Sequence, residues 1–212
     1  MSADGKAELC SEKEKNTMSN IPGYTHGTSA VAKSPLTLTD FEQMKASVLF
    51  GEDDVKYLRM SHDVVKDEVE AILDVWYGFV GAHNFLLASF VDTHSGQPLG
   101  DYLGRVRARF RQWILDTARA EFDERWLAWQ LEIGRRHHRI GKNLTDGARA
   151  PALVPYRYLP LLAQPIVDTL RPFLEGGGGS RDEVDQMQNA WRKAVLLQVT
   201  LWSQPYVIEG DY

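Results

Sequence analysis

Apolar residues recur along most of this chain every three or four positions, which is the spacing of one face of an α-helix. No stretch shows the sustained apolar–polar alternation of a half-buried strand, and no segment repeats at a fixed period. The pattern therefore predicts an all-α fold of about eight helices around one core. The predicted helical segments open at 34–40 and at 51–54, and then cover 62–81, 85–90, 99–117, 122–139, 156–174 and 181–202.

The first 20 residues lack the periodicity of the rest of the chain. They are rich in Lys, Glu, Ser and Asp and hold no aromatic side chain, which predicts a disordered tail and excludes a secretory signal. The glycine run at 176–179 is short enough for a turn between antiparallel helices, so residues 21–212 are predicted to form a single domain. No run approaches about 18 uninterrupted apolar residues, and we therefore expect a cytoplasmic protein without a membrane span.

Composition narrows the classes of partner. A formal net charge of -5 over 212 residues argues against an extended nucleic-acid surface. The single cysteine, Cys10, excludes an internal disulfide and a cysteine-rich metal site. Basic residues do cluster at 105–109 and at 135–136. Such clusters are usually solvated helix faces, unless an anionic ligand lies beside them.

The helix predicted over 122–139 carries the most specific candidate chemistry, because its broad apolar face runs into two adjacent histidines. Gly134 lies one turn before both; a glycine inside a helix costs about 1 kcal/mol relative to alanine, and the close approach of a flat ligand would explain it. Neutral imidazole is a common metal ligand, but cationic histidines also favour a helix C-terminus. Periodicity leaves both interpretations open and does not choose between the histidines. The face consists of Trp126, Leu127, Gln130, Leu131, Ile133, Gly134, His137 and His138.

Five segments carry a more specific pattern, in their order along the chain. They are IPGY at 21–24, ILDVWYGFVG at 72–81, VRARFRQWILDT at 106–117, EIGRRHHR at 132–139 and LQVTLWSQPY at 197–206. Together they resemble the protoglobins, which are single-domain relatives of the globin-coupled sensors. The resemblance covers residues 20–212. It implies a globin fold with an extra N-terminal helix and an N-terminal extension, and a bound haem b (iron protoporphyrin IX).

The resemblance also implies roles for particular residues. The first of the two adjacent histidines, here His137, would be the proximal ligand of a pentacoordinate iron, and His138 would lie behind it or at the surface. Tyr77 would be the distal residue that hydrogen-bonds the gas ligand; a core tyrosine bonded elsewhere is the alternative. Val106 stands where many globins carry a distal histidine, which leaves Tyr77 as the main donor. The other residues implied to bind the haem are Trp76, Arg109, Phe110, Ile133, Gly134 and Leu162.

Further expectations concern the edges of this pocket. Leu162 departs from the phenylalanine that is common in relatives, and a smaller side chain there should open the pocket. The two propionates of a haem are anionic, and Arg109, Arg135 and Arg136 are candidates to bind them unless they are exposed to solvent. The segment around Tyr24 would cover the haem edge, so that small gases would enter between helices.

The function implied by the resemblance is reversible binding of O2, CO and NO. Three alternatives stay open. One is a gas sensor that acts through a separate partner, since no output domain follows in this chain. Another is a haem enzyme for nitric-oxide dioxygenation, peroxidase-like or carbene-transfer chemistry; no dinucleotide-binding pattern is present, so its electrons would come from a partner reductase. The third is a haem-free helical interaction protein. We expect no nucleic-acid or membrane partner.

The predicted last helix also suggests an oligomer. Its apolar residues include Val195, Leu196, Val199 and Leu201, which surround more of the helix than one buried face requires. Protoglobins pair through their last two long helices. We therefore expect a homodimer.

Overall fold

The computed structural model describes residues 21–208, 210 and 212. Over this part of the chain there are seven α-helices and two short 3-10 turns, and the only extended pairing is an isolated bridge between Val91 and Pro98. The all-α prediction is confirmed, whereas the predicted disorder of residues 1–20 lies outside the described residues. The α-helices are α1 Leu38–Ser47, α2 Glu52–Gly81, α3 Asn84–Leu87, α4 Gly100–Arg119, α5 Glu124–His137, α6 Tyr158–Gly176 and α7 Arg181–Ser203, and the 3-10 turns are Ala88–Phe90 and Gln204–Tyr206.

The helix α2 joins two helices that we predicted separately. The pattern suggested one start at 51–54 and another at His62, but the structure has 30 uninterrupted helical residues. Across the predicted break, Leu58, Ser61 and Val65 are all buried. No glycine or proline lies in this stretch, so nothing ends the first helix before the second begins. The separation into two helices was therefore wrong.

The helix α5 carries the two histidines at its C-terminal end. It begins where the Asp123 carboxylate accepts a hydrogen bond from the backbone N–H of Trp126 at 2.7 Å, which satisfies a donor that the helix leaves free. It ends at His137, because the backbone of His138 is extended, with ψ at 159°. The chain direction therefore changes between the two histidines.

The helix α7 packs against α2, α5 and α6, and so forms the centre of the fold. Its tryptophans, Trp191 and Trp202, are buried. Trp191 donates its indole N–H to Ser61 Oγ on α2 at 2.8 Å, and Trp202 donates to Gln130 Oε1 on α5, also at 2.8 Å. Buried polar groups require such partners, and each bond joins α7 to a neighbouring helix.

The burial of α7 bears on the predicted homodimer. Val195, Val199 and Leu201 are buried within the chain, and only Leu196 of the four apolar residues is exposed, at 44%. Packing within one chain therefore buries most of the apolar side chains that suggested a second interface on this helix.

The described residues form helices that mix apolar and charged side chains. None of their helices is by itself long and apolar enough for a crossing. One bent pair, Glu52–Gly81 with Asn84–Phe90 at 101°, meets the requirement by length and composition only. Apolar side chains of that pair, such as Ile72 and Leu73, are buried in the core.

Candidate functional site

The helices enclose a mostly apolar cavity of about 230 Å³. Its wall includes residues of α2, α4, α5, α6 and α7, and of the loop between α5 and α6. Most of the residues that the resemblance assigned to a haem pocket lie in this wall, and Gly134 is the exception. Those in the wall are Trp76, Tyr77, Val106, Arg109, Phe110, Ile133, His137 and Leu162.

His137 enters this wall as the last residue of α5. Its Nδ1 lies 2.9 Å from the backbone carbonyl oxygen of Ile133. Because a carbonyl only accepts hydrogen bonds, Nδ1 is the donor, and the neutral ring keeps its free lone pair on Nε2. Burial lowers the pKa of His137, which favours this neutral form. The ring is also stacked on Trp202, with the ring centroids 5.3 Å apart and the planes within 13°.

His138 has a different environment, although it is the next residue. It does not line the cavity. Its ring instead meets the Tyr206 ring edge to face, with the centroids 4.9 Å apart. The structure therefore separates two histidines that helical periodicity could not distinguish.

The helices α2 and α4 contribute the aromatic part of the wall. Phe110 of α4 meets Tyr77 edge to face with the ring centroids 6.4 Å apart, and it lies 5.8 Å from Trp76. The Arg107 guanidinium lies over the Tyr77 ring at 5.7 Å from its centroid. Burial raises the pKa of Tyr77, so its hydroxyl stays protonated and can donate. Val106 adds an apolar surface to the same wall.

The arginines that we considered as propionate ligands are largely occupied by protein groups. Arg109 forms a two-pronged ion pair with Asp146 and donates to the carbonyl of Pro22 at 2.8 Å. Arg136 pairs with Glu132 and donates to the carbonyl of Gly23. Both arginines line the cavity, whereas Arg135, the remaining candidate, does not.

The N-terminal segment therefore lies against the edge of the cavity. Tyr24 donates a hydrogen bond to the buried Asp116 carboxylate and meets Trp129, a cavity residue, edge to face at 5.1 Å. Gly23 has φ at +76°, and a Cβ there would lie 2.7 Å from the Arg109 guanidinium. Only glycine fits this turn without strain. The segment thus contacts residues of the cavity wall, and its role in covering a haem edge stays a prediction.

Gly134 has a different explanation from the one that we expected. A Cβ at this position would lie 2.8 Å from the carbonyl oxygen of Trp202 and 2.9 Å from its Cα. The close approach that this glycine permits is therefore that of the α7 backbone, not that of a flat ligand. The original interpretation is corrected accordingly.

Sequence reasoning missed Lys142, which lines the cavity and is only 4% exposed. Its Nζ donates to the carbonyl of Ser89 at 2.9 Å and lies 5.4 Å from the Tyr102 ring centroid. Burial lowers its pKa to about 8. The residue stands in a polar Gly-Lys-Asn stretch after α5, which is typical of a solvated loop, so the sequence contained no signal of its burial.

The helical fold and a cavity with a histidine at the end of one of its helices define a globin. The chain belongs to the protoglobin family, whose model matches residues 37–212. Among solved structures it is similar to the globin domain of a globin-coupled sensor from Geobacter sulfurreducens, with a TM-score of 0.61 and 16% identity, covering 79% of this chain and 97% of that one. That identity shows the fold alone. No curated protein matches.

The predicted family and globin fold are thereby confirmed, and membership implies a haem cofactor and gas binding. The residues present fit such a cofactor. Among the described residues, no group of three or more His, Cys, Asp or Glu could hold a metal ion by itself. His137 offers one neutral imidazole beside apolar and aromatic walls that suit a flat ring.

Proposed function

We propose that this protein reversibly binds O2, CO and NO at a b-type haem, whose iron His137 holds through Nε2. The observation that carries the proposal is the hydrogen bond from His137 Nδ1 to the Ile133 carbonyl, at the wall of an apolar cavity. This bond fixes the orientation of the ring and leaves one nitrogen to bind iron. When bound, a five-coordinate haem supplies an open iron position for a diatomic gas.

The other residues of the wall have simpler roles in this proposal. Trp76, Phe110 and Leu162 exclude water from the gas position, which strengthens any hydrogen bond inside the cavity. Tyr77 holds its proton at the hydroxyl oxygen and donates it in a hydrogen bond to the gas ligand. Val106 offers no competing donor.

The two adjacent histidines allow a matched test. His137→Ala should abolish stoichiometric haem uptake and the five-coordinate ferrous spectrum, while His138→Ala should leave both in place. The measurement is the Soret absorbance per chain after reconstitution with haemin, followed by reduction and addition of CO. A normal spectrum in His137→Ala would contradict the proposal.

We further propose that two copies pair through α6 and α7, as the resemblance implies. Two exposed apolar side chains support this pairing. Leu161 of α6 is 68% exposed and Leu196 of α7 is 44% exposed.

A further inference from the structure

Lys142 is a buried cation in the cavity wall for which the described part of the chain supplies no carboxylate. Its neighbours are the carbonyl of Ser89 and the face of the Tyr102 ring, and both residues also line the cavity. No acidic side chain of the described residues lies within ion-pair distance of its Nζ. With a pKa of about 8 it is still mostly protonated at pH 7. Burying an ammonium without a carboxylate partner is costly, so an anionic ligand bound in this cavity would explain its presence.

The other two cations that line the cavity differ in this respect. Arg109 is paired with Asp146, with the shortest N–O distance at 2.6 Å, and Arg136 is paired with Glu132 at 2.8 Å. Asp146 is also paired with Arg105, so two guanidinium groups neutralise the acid that lines this cavity. Over the described residues, Lys142 is therefore the cavity-lining cation that still lacks a carboxylate partner.

The backbone holds Lys142 at a fixed place relative to the proposed iron ligand. Its N–H donates to the carbonyl of His138 at 2.9 Å, in the turn that directly follows α5. The side chain then runs back to Ser89 at the cavity wall. The lysine and His137 thus line the same cavity.

We propose that Lys142 binds a carboxylate of the cofactor, namely a propionate of the haem, and that Arg109 and Arg136 hold the N-terminal segment instead. This inference rests on the function proposed above. A charge-assisted hydrogen bond from the ammonium to a propionate would give the lysine a carboxylate partner and would help to hold the haem in the cavity. It also explains why a long cationic side chain is buried here.

The test compares two probes, haemin and haemin dimethyl ester; in the ester both propionates are methylated and therefore uncharged. The rate of loss of each is measured by transfer to an excess of apomyoglobin. We expect wild-type protein to retain haemin about 10- to 100-fold longer than the ester. Lys142→Met should remove most of that difference by speeding the loss of haemin while leaving the loss of the ester nearly unchanged.

Two further variants complete the design. Lys142→Gln keeps a donor for the Ser89 carbonyl but has no charge, so it should behave as Lys142→Met does. Lys45→Met removes a lysine of α1 that is paired with Glu42 away from the cavity, and it should retain the wild-type difference between the probes. Lys45→Met is the control, whereas Lys142→Gln separates loss of the charge from loss of the hydrogen-bond donor.

Three other results would overturn the assignment of Lys142, and each can be distinguished from the others. Equal acceleration of both probes in Lys142→Met would show that the lysine only supports the loop. A full wild-type difference in that variant would place the propionates elsewhere. If wild-type protein bound neither probe, the proposed haem function would fail as well, which distinguishes that result from failure of the Lys142 assignment alone.

Discussion

At the scale of single residues, Gly134 governs how closely two helices approach. The atoms that a Cβ would meet belong to the backbone of Trp202, in a helix that packs against three others. Such atoms cannot move aside as the end of a flexible side chain can. The α5 and α7 backbones therefore lie closer here than a larger residue would allow.

Gly134→Ala should lower the free energy of unfolding by about 1–3 kcal/mol, because overpacking outweighs the gain in helix propensity. Gly104→Ala is the matched control, since Gly104 lies in α4 with nothing within 4 Å of a built Cβ. The control should be neutral or slightly stabilising. Urea denaturation measures both, and equal effects of the two substitutions would contradict the argument from close packing.

Tyr77→Phe removes the proposed donor to the gas ligand while keeping the ring. Since a hydrogen bond to a partly charged acceptor is worth about 1–2 kcal/mol, oxygen should dissociate roughly 5- to 30-fold faster. Stopped-flow displacement of O2 by CO measures this rate. Tyr57→Phe, on the same helix but outside the cavity wall, should leave it unchanged. An unchanged rate in Tyr77→Phe would remove Tyr77 from the distal role.

The candidate site could be predicted at this scale only in part. His137 and Tyr77 came from segment resemblance, because helical spacing alone placed both histidines on one face. Lys142 could not be found, since its burial depends on where the loop after α5 folds back to meet Ser89. The partners of Arg109 and Arg136 could not be predicted either. Both arginines donate to carbonyl groups of a segment that lies more than 80 positions away in the chain.

At the scale of elements, the N-terminal segment depends on a half-buried polar cluster of Tyr24, His26 and Asp116. His26 lies next to Tyr24, with its Nδ1 3.1 Å from that hydroxyl, and its ring is stacked on Trp129. Burial lowers the pKa of His26, although Asp116, Asp123 and Glu121 act to raise it. Asp116 has the opposite behaviour, because burial raises its pKa.

The lowered pKa of His26 and the raised pKa of Asp116 make the free energy of unfolding depend on pH. Below the ordinary histidine pKa of 6.5 the unfolded chain binds a proton at His26 more readily than the folded chain does. The contribution of His26 to stability is therefore present above pH 6.5 and is lost as the pH falls. Asp116 opposes this trend, since its raised pKa favours the folded state as the pH falls.

His26→Phe isolates the histidine contribution while keeping a ring against Trp129. The free energy of unfolding should fall less between pH 7.5 and pH 5.5 in this variant than in wild-type protein. Urea denaturation at the two pH values measures the difference. Equal pH dependence in the two proteins would show that His26 is not held neutral by the fold.

At the scale of the whole molecule, the helical fold could be predicted from the sequence more fully than the start of each helix. Periodicity located the long helices because each buries one apolar face, and the last helix was predicted to within a residue or two of its end at Ser203. The continuity of α2 was missed, because acidic residues at 52–54 and a regular apolar stripe from His62 each suggested a helix start. A local signal for a helix start, such as a new apolar stripe, does not show whether the preceding residues are already helical.

The proposed homodimer is tested by a charge on α7. Leu196→Glu should convert a dimer to a monomer in sedimentation velocity, because a carboxylate buried in an interface is costly. Leu49→Glu is the control, since Leu49 is 82% exposed and lies between α1 and α2. A monomeric wild-type protein would contradict the pairing directly.

The stacking of Trp202 on His137 has a mechanical consequence. The ring of the proposed iron ligand rests on an indole whose own backbone is in contact with Gly134, three residues earlier on the ligand's helix. The indole N–H in turn donates a hydrogen bond to Gln130 Oε1. A tilt of that imidazole would press on Trp202, so we expect movement of the proposed iron ligand to be passed to α7, the central helix of the fold.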